Sequence, residues 1–188
     1  KLFSKAASLI TQQSSNLMIV ERLRLNTYRV VAVKLTQSAL SNVWWPLLLK
    51  DSGTDKEIYE KALALWLNST LGLLSLLIVR QETEGPWIAY KKGNLLSALV
   101  LHLGKLPRNS LSKLAKSFDK LAHESLLPLS KIAEDPVRAQ IDDRIAAVLG
   151  IPSEKLKEVR ELLQQEPILT LVPLRRERQI GAGTKRWK

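Results

Sequence analysis

Between Lys61 and Arg80 lie eighteen consecutive residues, Ala62 to Val79, without one charged side chain. An uncharged run of that length has to leave water, either inside a protein core or in a bilayer. Its interior holds Asn68, Ser69, Thr70, Gly72 and Ser75, and polar groups are costly in hydrocarbon. No second run of that length follows and no signal-peptide pattern precedes it. The run therefore reads as a buried core helix, capped at Thr54 or Asp55 and extending to about Arg80, rather than a membrane span. On it Trp66 belongs to the core, and Asn68 is a buried amide that orients neighbouring backbone. Asn68-Ser69-Thr70 also matches a glycosylation sequon, which carries little weight on a buried helix.

A core helix needs a surface to pack on, and the preceding segment supplies short β-rich runs. Leu17–Val20, Val30–Val33 and Asn42–Trp45 leading into Leu47–Leu49 are separated by turn residues at 14–16, 26–27 and 36–38. Pro46 limits its run to an edge strand or a strand end. Asp51-Ser-Gly-Thr-Asp55 is a loop, Trp87–Lys92 one more strand, and residues 1–12 form a possible short helix. Beyond residue 104 the pattern turns helical. Ser110 caps a stripe of Leu111, Leu114, Ala115, Phe118 and Leu121. Asp135-Pro136 opens a helix that Gly150 stops, and Ser153 caps a last one ended by Pro167. The expected fold is α+β: a small antiparallel sheet packed on an apolar helix in residues 14–104, a helical subdomain in 108–168, and a basic C-terminal tail over 169–188. Of the 188 residues, 45% are apolar and 25% charged, enough to build such a core. The chain starts at Lys1 and its only methionine is Met18, which suggests a fragment of a longer polypeptide with any catalytic part upstream.

The net charge of +11 is unevenly distributed. Residues 1–50 hold seven Lys/Arg against Glu21 alone, residues 51–174 hold sixteen of each sign, and residues 175–188 hold six against Glu177. Two electropositive ends around a neutral middle favour a polyanion, nucleic acid before anionic membrane; a solvated basic surface is the bland alternative. Catalysis fails by elimination. There is no phosphate loop, nucleophile elbow or cysteine, and His102 and His123 stand far apart, as surface histidines do. Asp142 and Asp143, adjacent on a helix, read as a solvated face. No catalytic or metal-ligating residue is expected.

For nucleic-acid reading, Glu21–Arg29 interleaves Arg22, Arg24 and Arg29 with Asn26, Thr27 and Tyr28. Arginine forks match guanine O6/N7 or phosphate, and asparagine matches adenine N6/N7, although Asn26-Thr27 equally suits a plain turn. Asn42 precedes Trp44-Trp45, two strand neighbours that must face opposite sides. One fills the core; the other, Trp45, stacks on a base or packs against another domain. Lys91 and Lys92 at a strand end suit phosphate contact or simple solvation.

The order of these pieces resembles the target-recognition region of bacterial N6-adenine DNA methyltransferases and restriction specificity subunits. It spans roughly residues 17 to 166: Glu21-Arg22-Leu23 to Arg29, Ser41 to Trp45, Leu65-Trp66-Leu67-Asn68-Ser69-Thr70 with Gly72, Gly85-Pro86-Trp87 to Lys92, and Asp135-Pro136-Val137-Arg138 with Ile141-Asp142. One departure is the stretch Leu96 to Leu103, which lacks the proline-bearing run common there. The family's cofactor glycine motif and Asn/Asp-Pro-Pro-Tyr/Phe loop are absent. The resemblance implies a non-enzymatic, cytoplasmic domain that grips double-stranded DNA beside an upstream catalytic domain or subunit. That partner, not this chain, holds S-adenosylmethionine and the flipped adenine. The alternative is a protein-interaction or assembly module whose apolar helix packs against a partner chain.

Overall fold

The computed structural model describes Ser8, Ile10 and residues 13–50, 53–83 and 87–170. The expected helix in residues 1–12, the start of the 51–55 loop, Gly85-Pro86 and the tail beyond Thr170 lie largely or wholly outside the described residues. The fold is mixed α+β with small antiparallel sheets. Instead of one sheet there are two, each of three strands. In the first, β1 (Ser15–Val20) is central between β3 (Ala32–Ala39) and β4 (Trp44–Pro46). In the second, β6 (Trp87–Ala89) is central between β2 (Arg22–Arg24) and β5 (Gln81–Glu82). Glu21 lies at the junction of β1 and β2, its carbonyl accepting from Tyr90 N–H at 2.8 Å and its N–H donating to Val43 at 3.0 Å.

Several local expectations need correction. The supposed turn at 36–38 is the second half of β3, and the strand expected from Val30 begins only at Ala32. The Val31 N–H instead donates to the Asn68 side chain. The strand expected over Trp87–Lys92 ends at Ala89, and Lys92 opens the short helix α3 (Lys92–Leu95). β4 ends at Pro46, and just beyond it the Leu47 N–H still donates to Leu17 O of β1 at 2.9 Å.

The uncharged run is not one helix. It divides into α1 (Lys56–Leu67) and α2 (Thr70–Ile78), bent by 75°. Ser69 causes the break: its Oγ accepts from Gly72 N at 3.1 Å, capping α2, and donates to Trp66 O at 2.6 Å. Asn68, at the corner, behaves as the buried amide expected. Its Oδ1 accepts from Val31 N at 2.9 Å, and its Nδ2 donates to Ala32 O at 2.7 Å and Ala64 O at 2.9 Å. One side chain thus stitches the end of α1 to the start of β3. No single helix among the described residues is long and apolar enough to cross a membrane.

The later helices are α4 (Arg108–Leu121), α5 (Pro136–Leu149), α6 (Ser153–Gln164) and the single turn α7 (Pro167–Thr170). Asp135 caps α5 as expected, accepting from Val137 N and Arg138 N, and Gly150 ends it at φ 68°. Neither serine expected as a cap serves as one. Pro107 and Pro152 occupy those boundaries, so Ser110 lies inside the first turn of α4 and Ser153 is the first residue of α6. Asp55 sits at the start of α1, but its carboxylate binds Arg108 at 2.9 Å rather than capping the helix.

α4 packs on α1, and α5 and α6 close over α2. One hydrophobic cluster runs from Leu17 to Leu169, shared by sheet and helices. Its polar counterpart corrects the reading of Asp142 as solvated. Asp142 is buried and accepts from Thr70 N at 2.8 Å, Thr70 Oγ1 at 2.6 Å and Arg160 NH1 at 2.6 Å. Only Asp143 faces water. Arg138, also buried, donates to Arg29 O at 2.8 Å and to Asn68 O. Burial pulls its pKa down, while Asp135 and Asp142 partly restore it.

Candidate nucleic-acid interface

The second sheet is built so that one face is buried and the other basic. Register pairs Leu23 with Ile88, and both are buried. Side chains alternate across a strand, so Arg22 and Arg24 share the opposite face with their partners Ala89 and Trp87. Arg22 is exposed, Arg24 half-buried, and Trp87, although aromatic, is 42% exposed. Tyr28 meets the Trp87 ring edge-on, with centroids 6.3 Å apart at 73°. Two arginines thus stand beside two aromatic rings on a short solvent-facing ribbon.

A turn carries Tyr28 back to that face. Thr27 N and Tyr28 N both donate to Arg24 O, at 3.1 and 3.0 Å. The helical segment Leu129–Glu134 anchors the turn from below: Leu129 N donates to Tyr28 O and Ser130 Oγ to Asn26 O, both at 2.8 Å. Asn26 is the member least suited to base reading. Its Oδ1 is shielded from solvent and without a hydrogen-bond partner, as is Arg24 Nε. Arg29 is exposed at the end of the turn, with its backbone carbonyl held by Arg138.

The remaining candidates gather where the two sheets join. Asn42 is exposed in the loop whose next residue, Val43, binds Glu21. Trp45 is half-buried and donates Nε1 to Tyr90 O at 2.8 Å, tying the first sheet to the second. Both Trp44 and Trp45 pack against the core as half-buried residues, so neither is wholly inside nor wholly outside. Lys91 and Lys92 follow Tyr90 directly and are exposed, with Lys91 O accepting from Leu95 N at the start of α3. Tyr90 is fully buried, and loss of solvent pushes its hydroxyl above the ordinary tyrosine range against a smaller opposing pull from Arg80.

Arg22, Arg24 and Tyr28 therefore share one face, while Asn42, Trp45, Lys91 and Lys92 surround the Glu21–Tyr90 junction. Trp87 belongs to the first group. The alternation of Trp87 and Ala89 with Ile88 and Tyr90 is the signal that places it there. A cavity of about 760 Å³ lies elsewhere, between β3, α1 and α4. Its charges are mutually satisfied: Lys34 with Glu60 at 3.2 Å, and Lys61 with Glu57 at 2.8 Å and Asp119 at 2.9 Å. Those two carboxylates hold the Lys61 ammonium above the usual lysine range. Among the described residues no group of three His, Asp or Glu is placed to hold a metal. No family model matches the chain, and no curated protein or solved structure gives a significant match.

Proposed function

We propose that this chain is a target-recognition domain of an adenine-specific DNA methyltransferase or restriction-modification protein. It binds double-stranded DNA in the cytoplasm and positions it for a separate catalytic domain that carries S-adenosylmethionine. One observation carries the reading: the solvent face of β2 and β6, where Arg22 and Arg24 flank Trp87 and Tyr28 above an apolar underside. Guanidinium forks pair with phosphate or base edges, and the aromatic rings offer stacking or sugar contact. Lys91, Lys92 and Arg29 extend the positive surface at its margins.

The test is fluorescence anisotropy of the chain with a labelled duplex across a salt series. Binding should weaken steeply with salt, and Arg22→Ala/Arg24→Ala should flatten the log–log slope by roughly 1.8, at about 0.9 per lost phosphate contact. Salt-independent binding, or a slope untouched by the double variant, would sink the reading.

A second reading, an assembly module, draws on a different observation. The apolar stretch of α1, Ala62–Leu67, is buried within the fold, so it offers no apolar face to a partner. Near the Asn94–Val79 hydrogen bond, however, Ile78, Leu96, Leu99 and Val100 stand exposed, Leu96 at 82%. An apolar group of that kind suits a protein partner; an assembly module would gain mass with its partner in light scattering yet show no salt-dependent binding to duplex, and that absence separates the two readings.

A further inference from the structure

The neutral balance of the chain's middle conceals a segregated charge. On α1, Lys56 and Lys61 each face a carboxylate, Glu60 at 3.8 Å and Glu57 at 2.8 Å. On α6, Lys155 and Lys157 do likewise, with Glu158 at 3.0 Å and Glu154 at 3.1 Å. On α4 the rule breaks. Lys113, Lys116 and Lys120, spaced at i, i+3 and i+7 along one side, have no ion-pair partner among the described residues. The helix's one acid, Asp119, is committed to Lys61 across the other side. Like charges at this spacing repel on a helix surface, so the stripe is an arrangement the fold maintains without internal compensation.

A cleft of about 190 Å³ opens where this stripe meets α5. Lys116, Lys120 and Arg144 line it with Ser117 and Gln140, and no acidic residue borders it. Gln140 and Arg144 are one turn apart and therefore share a side of α5. Asp143, three residues from Gln140, is exposed beside that side of α5 but does not line the cleft. Three cations converge on one concavity with amide and hydroxyl groups beside them, which is the chemistry of a phosphate-contacting surface. From Lys113 to Lys120 the stripe covers roughly 10 Å of helix. That length corresponds to about three nucleotide steps of one duplex strand, at about 3.4 Å of axial rise each.

We propose that the α4–α5 cleft is a second phosphate-contacting surface for duplex DNA, separate from the arginine-bearing ribbon of β2 and β6. The proposal rests on the DNA-binding reading given above. Contacts here fix how the duplex is gripped without reading its bases, leaving discrimination to the ribbon.

The experiment compares four versions of the 188-residue chain in the same anisotropy salt series: the parent, Lys116→Ala/Lys120→Ala/Arg144→Ala, Arg22→Ala/Arg24→Ala, and Lys155→Ala/Lys157→Ala. All the substituted residues except half-buried Arg24 are exposed, and far-ultraviolet circular dichroism melts verify that each variant folds. The cleft variant should flatten the slope by roughly 2.7. The α6 variant, whose lysines are already paired, should leave it unchanged. A parent that binds with a steep slope while the cleft variant matches it overturns the cleft and leaves the ribbon reading standing. An α6 variant that flattens the slope as much per charge as the cleft variant also overturns it, because overall charge then explains the effect. A parent that does not bind duplex at any salt overturns both.

Discussion

Replacing Gly72 with alanine is expected to unfold the protein or to lower its stability by about 4 kcal/mol or more. The reason is the sharpness of the corner between α1 and α2. A Cβ at Gly72 would stand 2.0 Å from Trp66 O and 2.9 Å from Leu67 Cα. Both are backbone atoms at the closing turn of α1, so no rotamer change relieves the clash. Opening the corner instead would pull Gly72 N from Ser69 Oγ and displace Asn68 from β3. Gly93 is the control, since a Cβ there meets nothing within 4 Å. In urea titrations Gly93→Ala should stay within about 1 kcal/mol of the parent. A Gly72→Ala midpoint as close as that would refute the crossing geometry.

The second large effect is expected at Asp142. Asp142→Ala removes the acceptor for Thr70 N, Thr70 Oγ1 and Arg160 NH1 together. It leaves a buried guanidinium uncompensated and a helix-end N–H unpaired, at a combined cost of about 3–5 kcal/mol. The partner matters as much as the residue. Asp142→Ala/Arg160→Met should recover part of the loss, because the stranded charge is gone even though Thr70 stays unpaired. A double variant no more stable than Asp142→Ala alone would mean that Arg160 finds water or another acceptor. The stabilising weight would then lie with Thr70.

These two positions also show what was legible in the sequence. The eighteen-residue uncharged run identified the core, and the α+β class followed from the strand runs before it and the helical stripes after it. Helix ends written in backbone chemistry were readable: Asp135-Pro136 and Gly150 behave as cap and stop. Boundaries set by competition were not. Ser110 and Ser153 have cap chemistry, but a proline, three residues before Ser110 and immediately before Ser153, fixed the boundary first. The bend at Asn68-Ser69 was hidden because the apolar pattern passes through it unbroken. Asp142 was misread because charge beside charge on a helix usually means solvent, and its partners Thr70 and Arg160 are distant or unremarkable in sequence.

For the interface, the arginine-rich stretch Arg22–Arg29 marked the β2 ribbon. Local alternation puts Trp87 on the face opposite Ile88, but its pairing with Arg24 needed the register between β2 and β6, which no local pattern supplies. The α4 stripe was missed for a different reason: summing charge over residues 51–174 cancels it against acids that the fold places on α6 and elsewhere.

The reach of Arg138 sets an order of events during synthesis. Its guanidinium closes on Arg29, 109 residues earlier, and on Asn68, 70 residues earlier. A ribosome releases the sheet and the bent helix pair well before α5 has emerged, and Asp142 gains Arg160 later still. Through that interval the corner carries open backbone acceptors and an apolar surface awaiting its cover. The nascent chain therefore cannot lock its first half alone: the helices α5 and α6 act as the latch, and a chain halted near residue 105 is a natural substrate for chaperones and proteases.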